Sequence, residues 1–324
     1  MRFILAVVVS LLTNLSYADQ WYKVDEATWL ISPSAHARYI QVNQAVIHGQ
    51  HCAAIINAHG DFAQLEQMIN SVKNKLTVPV CYLFSTSAEQ QQIQGMALLQ
   101  RAFPSAKWYA NDKVVKGFTQ YQQGLIAKLS MLAQSLSISK QRANKLSDTE
   151  QNQWQAHLEI AQQRLSDWRT LQLTPPIAIK QSLSLDLGDY PLTLTASSAY
   201  SQGDMFIFSQ TNGALFAGNT VDELPYVTHH QLAPWLACLQ TFNQDNTIKW
   251  LLPAHGKPYK RVALARPITF IQALLNNVPA TEFINKVTAL YKIDEATQTR
   301  MAHYYQLAQR RLATTTESDP NAVL

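Results

Sequence analysis

Charged residues are scarce in this chain: only 15% of its 324 residues are Asp, Glu, Lys or Arg, while 47% are hydrophobic. The hydrophobic fraction excludes disorder as the main state, and the length suits one large layered domain. Lys and Arg outnumber Asp and Glu by 26 to 22, and the resulting net charge of +4 is spread thinly, without basic clusters. This pattern argues against a nucleic-acid groove, so we expect no nucleic-acid partner.

Cysteine is also rare. The three cysteines, Cys52, Cys81 and Cys238, contain no Cys-x-x-Cys pair, which excludes a disulfide-dense scaffold and a zinc ribbon built from cysteine. Cys52 and Cys81 lie in apolar runs, where buried thiols are common, so we expect free core cysteines. A bridge between the two is the alternative in an oxidising compartment. Nine histidines are then the only plentiful soft metal ligands.

Long apolar runs are absent after the amino terminus. There, Arg2 precedes the apolar residues 3–12, and Ser16 and Ala18 are the small residues that a signal peptidase requires before Asp19. An uncleaved anchor is the alternative, but the run is shorter than the ~20 apolar residues of a membrane span. We expect residues 1–18 to be a signal peptide cut after Ala18, giving a periplasmic or secreted protein with no membrane span after cleavage.

The mature chain, residues 19–312, alternates predicted strands and helices. Short strands up to residue 56 are followed by a helix capped by Asp61 and by a continuous apolar strand, 78–84. A helix over 89–101 and a strand over 107–110 continue the alternation, which is typical of an α/β layered architecture.

Residues of about 112–170 break this alternation, because two Gln-rich amphipathic stretches predict a helical hairpin inserted between two sheet halves. The hairpin is most simply a lid or a packing element, and a partner-binding groove is the alternative. Strands resume over 177–217 and helices dominate after residue 231. We expect residues 313–324 to form a flexible polar tail.

Four local patterns occur in a fixed order along the chain. They are Ile55-Ile56-Asn57-Ala58-His59-Gly60, the segment from Thr86 to Gly95, Tyr200-Ser201-Gln202-Gly203-Asp204 followed by Phe216-Ala217-Gly218-Asn219, and Pro253-Ala254-His255-Gly256. Their order resembles the metallo-β-lactamase fold superfamily, in particular the periplasmic hydrolases related to glyoxalase II and to the sulfur-oxidation and quinoprotein-relay metallohydrolases. The resemblance extends to about Val278 and implies a four-layer αββα sandwich with its active site at one edge of two packed sheets.

In that superfamily the second pattern is Thr followed by His-x-His-x-Asp-His-x-x-Gly, and it helps to hold one or two zinc ions that activate water. Thr86 and Gly95 keep this frame. The matching ligand positions, however, hold Ser87, Glu89, Gln91, Gln92, Tyr200, Asn219 and His255. Only His255 keeps an imidazole and only Glu89 offers a carboxylate, fewer than the three or four protein ligands of a zinc site. We therefore expect a degenerate cleft and no cofactor.

A rebuilt zinc site is the alternative. His59 follows the first strand of the pattern, and His229 and His230 follow the Asn219 strand, so these three are candidates for a nonstandard set with Glu89 and His255. Such a set needs a spatial convergence that spacing does not provide.

We favour the simpler interpretation of these histidines. His229 and His230 then lie at a helix start, His59 precedes the capping Asp61, and the His255 ring bonds loop backbone. The remaining histidines are expected on the surface or between layers: His36, His48, His51, His157 and His303. Asp204 is expected to accept turn N–H bonds.

The favoured function is an exported pseudoenzyme, a noncatalytic binding or accessory protein that holds a small molecule or another exported protein in the former metal cleft. The alternative is a hydrolase of the same superfamily with a nonstandard metal set or a metal-free mechanism, in which Ser87 or Tyr200 is the nucleophile and His255 the base. A structural accessory of a quinoprotein oxidation system is a third option, resting on family analogy.

Overall fold

The computed structural model describes residues 20–33, 41–229, 231–291 and 295–318. The expected signal peptide, His36 and His230 lie outside these residues. Within them, no helix combines the length and the apolar character that crossing a membrane requires.

The first sheet has seven strands in the described part of the chain, and they lie side by side in sequence order. They are β1 (Gln20–Lys23), β2 (Thr28–Ser32), β3 (Gln44–His48), β4 (Ala53–Ile56), β5 (Val80–Phe84), β6 (Lys107–Asn111) and β7 (Ile177–Ile179). Strands β1 to β4 are antiparallel, whereas β4 to β7 run parallel. Parallel neighbours need crossover connections, and helices supply them here.

The second sheet has the strand order β13-β12-β11-β10-β9-β8. Its strands are β8 (Ser182–Asp186), β9 (Pro191–Ser197), β10 (Asp204–Ser209), β11 (Ala214–Gly218), β12 (Trp250–Pro253) and β13 (Tyr259–Lys260). Only the β11–β12 pair among these is parallel. Each sheet therefore contains parallel strands, and the carboxyl ends of parallel neighbours lie at the same edge of their sheet.

Three apolar cores separate four layers. Because side chains alternate along a strand, Ala54 and Ile56 of β4 enter the core between the two sheets, while Ala53 and Ile55 pack against helices outside the first sheet. A third core joins the outer face of the second sheet to the carboxyl-terminal helices. The layers are thus helix, sheet, sheet and helix, and the predicted αββα sandwich is confirmed.

The helices outside the first sheet are three crossover helices, a short helix after β6 and the two helices of the inserted hairpin. They are α1 (Phe62–Lys75), α2 (Gln90–Ile93), α3 (Met96–Ala102), α4 (Asp112–Lys116), α5 (Phe118–Ala143) and α6 (Asp148–Trp168). The side chain of Asp61 caps α1 by accepting a hydrogen bond of 3.1 Å from the backbone N–H of Gln64. This is the helix start that the sequence predicts.

The hairpin of α5 and α6 connects β6 to β7, which are neighbours in the first sheet, and so does not separate two sheet halves as the sequence suggested. It acts as a packing element. Trp168 is 1% exposed, packs edge-on against Phe62 and donates a hydrogen bond of 2.7 Å to Glu66.

The helices outside the second sheet are α7 (Leu232–Gln244), α8 (Ala265–Leu275), α9 (Ala280–Tyr291) and α10 (Glu295–Ser318). Helix α10 extends into the segment expected to be a flexible tail from residue 313. The flexibility of this tail stays a prediction, since a helix assignment does not measure motion, and residues 319–324 lie outside the described residues.

Cys52 and Cys81 form a disulfide, with their Cα atoms 5.6 Å apart. The expectation that both are free thiols was therefore wrong. The reason is the register of two parallel strands: Ala53 pairs with Val80, and a register shift after Ala53 leaves Cys81 outside the ladder, beside Cys52. Cys238 is free.

We predict that replacing both bridged cysteines with alanine lowers the free energy of unfolding by about 3–4 kcal/mol. The disulfide closes a loop with a sequence separation of 29 residues, and this loop restricts the conformations of the unfolded chain. Equilibrium urea unfolding measures the difference. Reductant provides the matched control, because it should lower the wild type to the level of the double variant and leave the variant unchanged. Equal stabilities of wild type and variant without reductant would contradict the prediction.

Candidate functional site

The four sequence patterns meet at one edge of the sandwich, where strands of both sheets end. Thr86, after β5, donates from its backbone N and its hydroxyl to Asn57 Oδ1 at 2.9 and 3.1 Å, which ties the ends of β4 and β5 together. The carbonyl of Thr86 accepts from Met205 N at 2.9 Å and so reaches the second sheet. There, Ala254 N donates to the Gly218 carbonyl at 3.1 Å, joining the ends of β11 and β12.

Two glycines of the patterns allow this close approach. A Cβ on Gly95 would lie 2.4 Å from the carbonyl oxygen of His59. Gly218 adopts φ +55°, and a Cβ there would lie 2.5 Å from the hydroxyl of Thr86. Any side chain would clash at both positions, so the glycines hold the loops of the cleft in contact.

Gln92 and Asn219, at two of the superfamily's ligand positions, bind each other. The Nε2 of Gln92 donates directly to Oδ1 of Asn219, and both residues are buried. The carbonyl Oε1 of Gln92 is also buried and has no hydrogen-bond partner in the described part of the chain. A neutral amide pair thus joins two positions that the sequence resemblance assigns to metal ligands.

Glu89 pairs with His229 at the rim of the cleft. Their Oε1 and Nε2 atoms are 2.5 Å apart, and this hydrogen bond raises the pKa of His229 above its ordinary value. The ring of Tyr200 packs edge-on against His229, with centroids 5.3 Å apart. His229 therefore lies before α7, as expected of a residue near a helix start, and is held by a carboxylate.

The hydroxyls of the two proposed nucleophiles, Ser87 and Tyr200, have hydrogen-bond partners other than histidine. The hydroxyl of Tyr200 bonds Thr228 Oγ1 at 2.6 Å and the Tyr226 carbonyl at 3.2 Å, and burial raises its pKa. Ser87 Oγ accepts from Glu89 N at 3.1 Å. In the described residues, no histidine nitrogen is a hydrogen-bond partner of either hydroxyl, so the metal-free pair is not assembled.

His255 binds Asp222, a residue that the sequence analysis missed. The ring Nδ1 lies 2.8 Å from Asp222 Oδ2, and the backbone N of His255 donates to Oδ1 at 2.9 Å. The expected bond from the ring to loop backbone is replaced by this carboxylate contact. Burial raises the pKa of Asp222, and the nearby His255 opposes that effect. An acid three positions after Asn219, in a buried segment, was the available signal.

Asp204 serves the fold, as predicted. Its carboxylate accepts from the backbone N of Tyr200 and Ser201 at 2.7 and 2.9 Å, and from the Ser201 hydroxyl at 2.6 Å. Burial raises the pKa of Asp204 to about 6 despite these bonds. The group orders the turn before β10.

A cavity of about 420 Å³ lies at the centre of this edge. Of the predicted site residues it is lined by Glu89, Gln91, Tyr200, Asn219 and His255, while Ser87 and Gln92 are buried behind it. Its other walls are Asp222, Glu223, Leu224, Tyr226, Thr228, Gly256, His303, Tyr304 and Leu307. The last three come from α10, and no local sequence signal links that distant helix to the cleft.

A more open groove of about 750 Å³ adjoins the cavity. Glu89 and Thr228 line both spaces, so the Glu89–His229 pair lies at their junction. The far wall includes Lys113 and Tyr121 from the inserted helices. Tyr121 donates a hydrogen bond of 2.6 Å to the Ala88 carbonyl.

The candidates for a rebuilt metal site do not converge in the described residues. His59 lines a separate cavity of about 280 Å³ with Asp61 and Lys128, and His230 lies outside the described residues. Across the described ranges, no group of three or more His, Cys, Asp and Glu side chains is placed to hold a metal ion. The donors at the superfamily positions are mainly amides and hydroxyls that bond one another, a set that does not fit zinc.

This geometry is that of a metallo-β-lactamase fold. Similar solved structures include the metallo-β-lactamase FIM-1 from Pseudomonas aeruginosa in its mono-zinc form, with 13% identity, a TM-score of 0.54 and coverage of 81% of this chain and 97% of that one. A metallo-β-lactamase from Pontibacter korlensis has 13% identity, a TM-score of 0.52 and coverage of 78% and 99%. One from Hirschia baltica has 15% identity, a TM-score of 0.50 and coverage of 78% and 97%.

No protein-family profile matches the chain, and no curated protein matches its sequence. The structural likeness therefore establishes the fold alone.

His59 gives a prediction about acid stability. It is 1% exposed, and burial lowers its pKa from 6.5 to about 4. In the unfolded chain the His59 imidazole binds a proton below about pH 6.5, whereas in the folded protein it binds one only below about pH 4. Stability should therefore fall by about 3 kcal/mol as the pH drops through this window.

His59→Gln should remove the part of the acid-induced loss of unfolding free energy that His59 causes. Urea unfolding at several pH values between 7 and 4 measures this loss. His157→Gln, at an exposed histidine of α6, is the matched control and should leave the profile unchanged. Parallel profiles for wild type and His59→Gln would contradict the prediction.

Proposed function

We propose that this chain is an exported, noncatalytic protein that binds a small molecule in the 420 Å³ cavity at its cleft. The observation that carries the proposal is the Gln92–Asn219 pair, which joins two former ligand positions by a direct hydrogen bond. A zinc ion would have to break this pair and be held by neutral amide oxygens, which lack the negative charge or the imidazole nitrogen that zinc prefers.

The remaining polar groups support a binding role over hydrolysis. Gln91 replaces the family's acid and cannot accept a proton from water. Tyr200 keeps its proton, since burial raises its pKa, and its hydroxyl is held by Thr228. These side chains are suited to hydrogen-bonding a ligand and poorly suited to activating a nucleophile.

The size and lining of the cavity support a small-molecule ligand. Ligand pockets commonly enclose ~300–1,000 Å³ and combine apolar walls with a few placed polar groups. This one combines Leu224 and Leu307 with tyrosines, amides and carboxylates.

Export is supported by two independent features. The amino-terminal sequence has the pattern of a cleavable signal peptide ending at Ala18. The Cys52–Cys81 disulfide is a bond that persists in oxidising compartments and is rare in the cytosol.

One contact favours the second candidate, a metal-free hydrolase. The buried carboxylate of Asp222 orients His255 through Nδ1, which leaves Nε2 of a cavity-lining ring to take a proton. In that case an ester or thioester substrate should be hydrolysed with a rate that His255→Ala abolishes. We favour binding because no hydroxyl nucleophile in the described residues contacts this ring.

The zinc content tests the first part of the proposal. We predict that protein purified without chelator and then dialysed against micromolar zinc retains less than about 0.1 equivalent by elemental mass spectrometry, because no group of three suitable ligands converges within the described ranges. A zinc-binding metallo-β-lactamase treated in parallel is the positive control. About one equivalent, lost on His255→Ala, would overturn the noncatalytic assignment.

A substitution that fills the cavity tests the proposal that a small molecule binds there. A library of small cationic, neutral and anionic fragments, screened by ligand-observed NMR, should give binders that Leu307→Trp abolishes, because the larger ring occupies the cavity. Leu275→Trp, at an exposed position of α8 away from this lining, is the matched control and should keep them. Absence of binders, or equal loss in both variants, would contradict cavity binding.

A further inference from the structure

We propose that the ligand of this cavity is a small organic cation carrying a primary ammonium group. This inference rests on the proposed function, since it names the class of molecule that the same cavity takes. It draws on the charge of the lining, on the way its carboxylates are paired, and on the aromatic walls.

The lining is acidic although the whole chain is basic. Glu89, Asp222 and Glu223 line the cavity, and no Lys or Arg does among the described residues. The chain as a whole carries a net charge of +4. A low-dielectric cavity with carboxylates in its walls attracts cations and repels anions.

The pairing of these carboxylates is uneven. Asp222 uses both oxygens on His255, and Glu223 forms an ion pair with Arg266. Glu89 contacts His229 through Oε1 alone, and 28% of its side chain is exposed. Glu89 is thus the carboxylate best placed to accept a hydrogen bond from a ligand cation, and His229 is its competitor.

An ammonium group suits the oxygen of Glu89 that does not contact His229. It has three N–H donors and no acceptor, so it can bond that oxygen and keep two further donors for other acceptors in the walls. A hydroxyl group supplies a single donor and no charge, so a neutral alcohol matches the carboxylate less well.

The aromatic walls suit the same charge. Tyr200, Tyr226 and Tyr304 line the cavity, and the rings of Tyr226 and Tyr304 meet edge-on with centroids 4.9 Å apart. The guanidinium of Arg311 already lies 4.9 Å from the Tyr226 centroid, so a cation from the chain itself uses this aromatic group. Tyrosine faces stabilise cations, most strongly where water is excluded.

A matched trio of probes tests the charge. 2-Phenylethylamine is cationic, 2-phenylethanol is its neutral counterpart, and 3-phenylpropionate is an anion of similar shape. We expect the amine to bind the full-length mature protein at least 10-fold more tightly than the alcohol, and the anion not to bind, in titrations followed by the histidine side-chain resonances in NMR. Equal dissociation constants for the amine and the alcohol would overturn the proposal.

Two variants with opposite expected effects locate the contact. Glu89→Gln should remove the preference for the amine over the alcohol. His229→Gln removes the imidazole that competes for Glu89 and should tighten amine binding several-fold. Glu159→Gln, on the inserted hairpin and outside the cavity lining, is the matched control and should change neither constant. Weaker amine binding to His229→Gln than to wild type, or an unchanged preference in Glu89→Gln, would overturn the role of Glu89.

The outcomes separate this inference from the proposed function. Binding of the alcohol or the anion, abolished by Leu307→Trp, with no advantage for the amine would overturn the ammonium assignment and leave the cavity as a binding site. Failure of all three probes, together with failure of the fragment library, would overturn both proposals.

Discussion

The cleft depends on one side chain, that of Asn57, which joins the ends of two parallel strands. Its Oδ1 accepts both hydrogen bonds of Thr86, and its backbone N donates to the Phe84 carbonyl at 2.7 Å. Asn57 itself adopts φ 62°, a left-handed conformation that asparagine tolerates better than most residues. Because this junction fixes the start of the segment after β5, it also fixes where Glu89 and Gln92 reach the second sheet.

Hydrogen-bonded pairs of the chain's own side chains join the walls of the cleft on that framework. In a zinc cleft the metal neutralises clustered acids and draws imidazoles inward. Here Gln92 binds Asn219, while Glu89 binds His229 and so joins the segment after β5 to the loop before α7. The cleft is thereby closed by contacts that need no ion, and the space left between its walls is a tyrosine- and carboxylate-lined cavity.

The frame of the fold was predictable, and parts of the site were not. Thr86 and Gly95 identified the segment after β5, and alternating apolar residues identified the strands, because both signals are local. Asp222 was missed, since its importance comes from a contact with His255 across two loops. The disulfide was only the alternative to free thiols, because buried thiols and bridged cysteines occupy the same apolar runs, and only strand register brings Cys52 beside Cys81.

The sequence by itself determined an alternation of strands and helices typical of a layered α/β chain, because periodicity and turn residues are properties of short segments. The αββα sandwich and the loss of metal-binding side chains at the ligand positions were what the resemblance of four ordered patterns to a known superfamily implied. Only the tertiary structure decided what those positions do instead. The partners of Gln92 and His255 lie 127 and 33 residues away along the chain. Helix α10, which begins 40 residues after His255, contributes a wall to the cavity. Contacts between such distant residues are set by the packing of the layers, which no local pattern encodes.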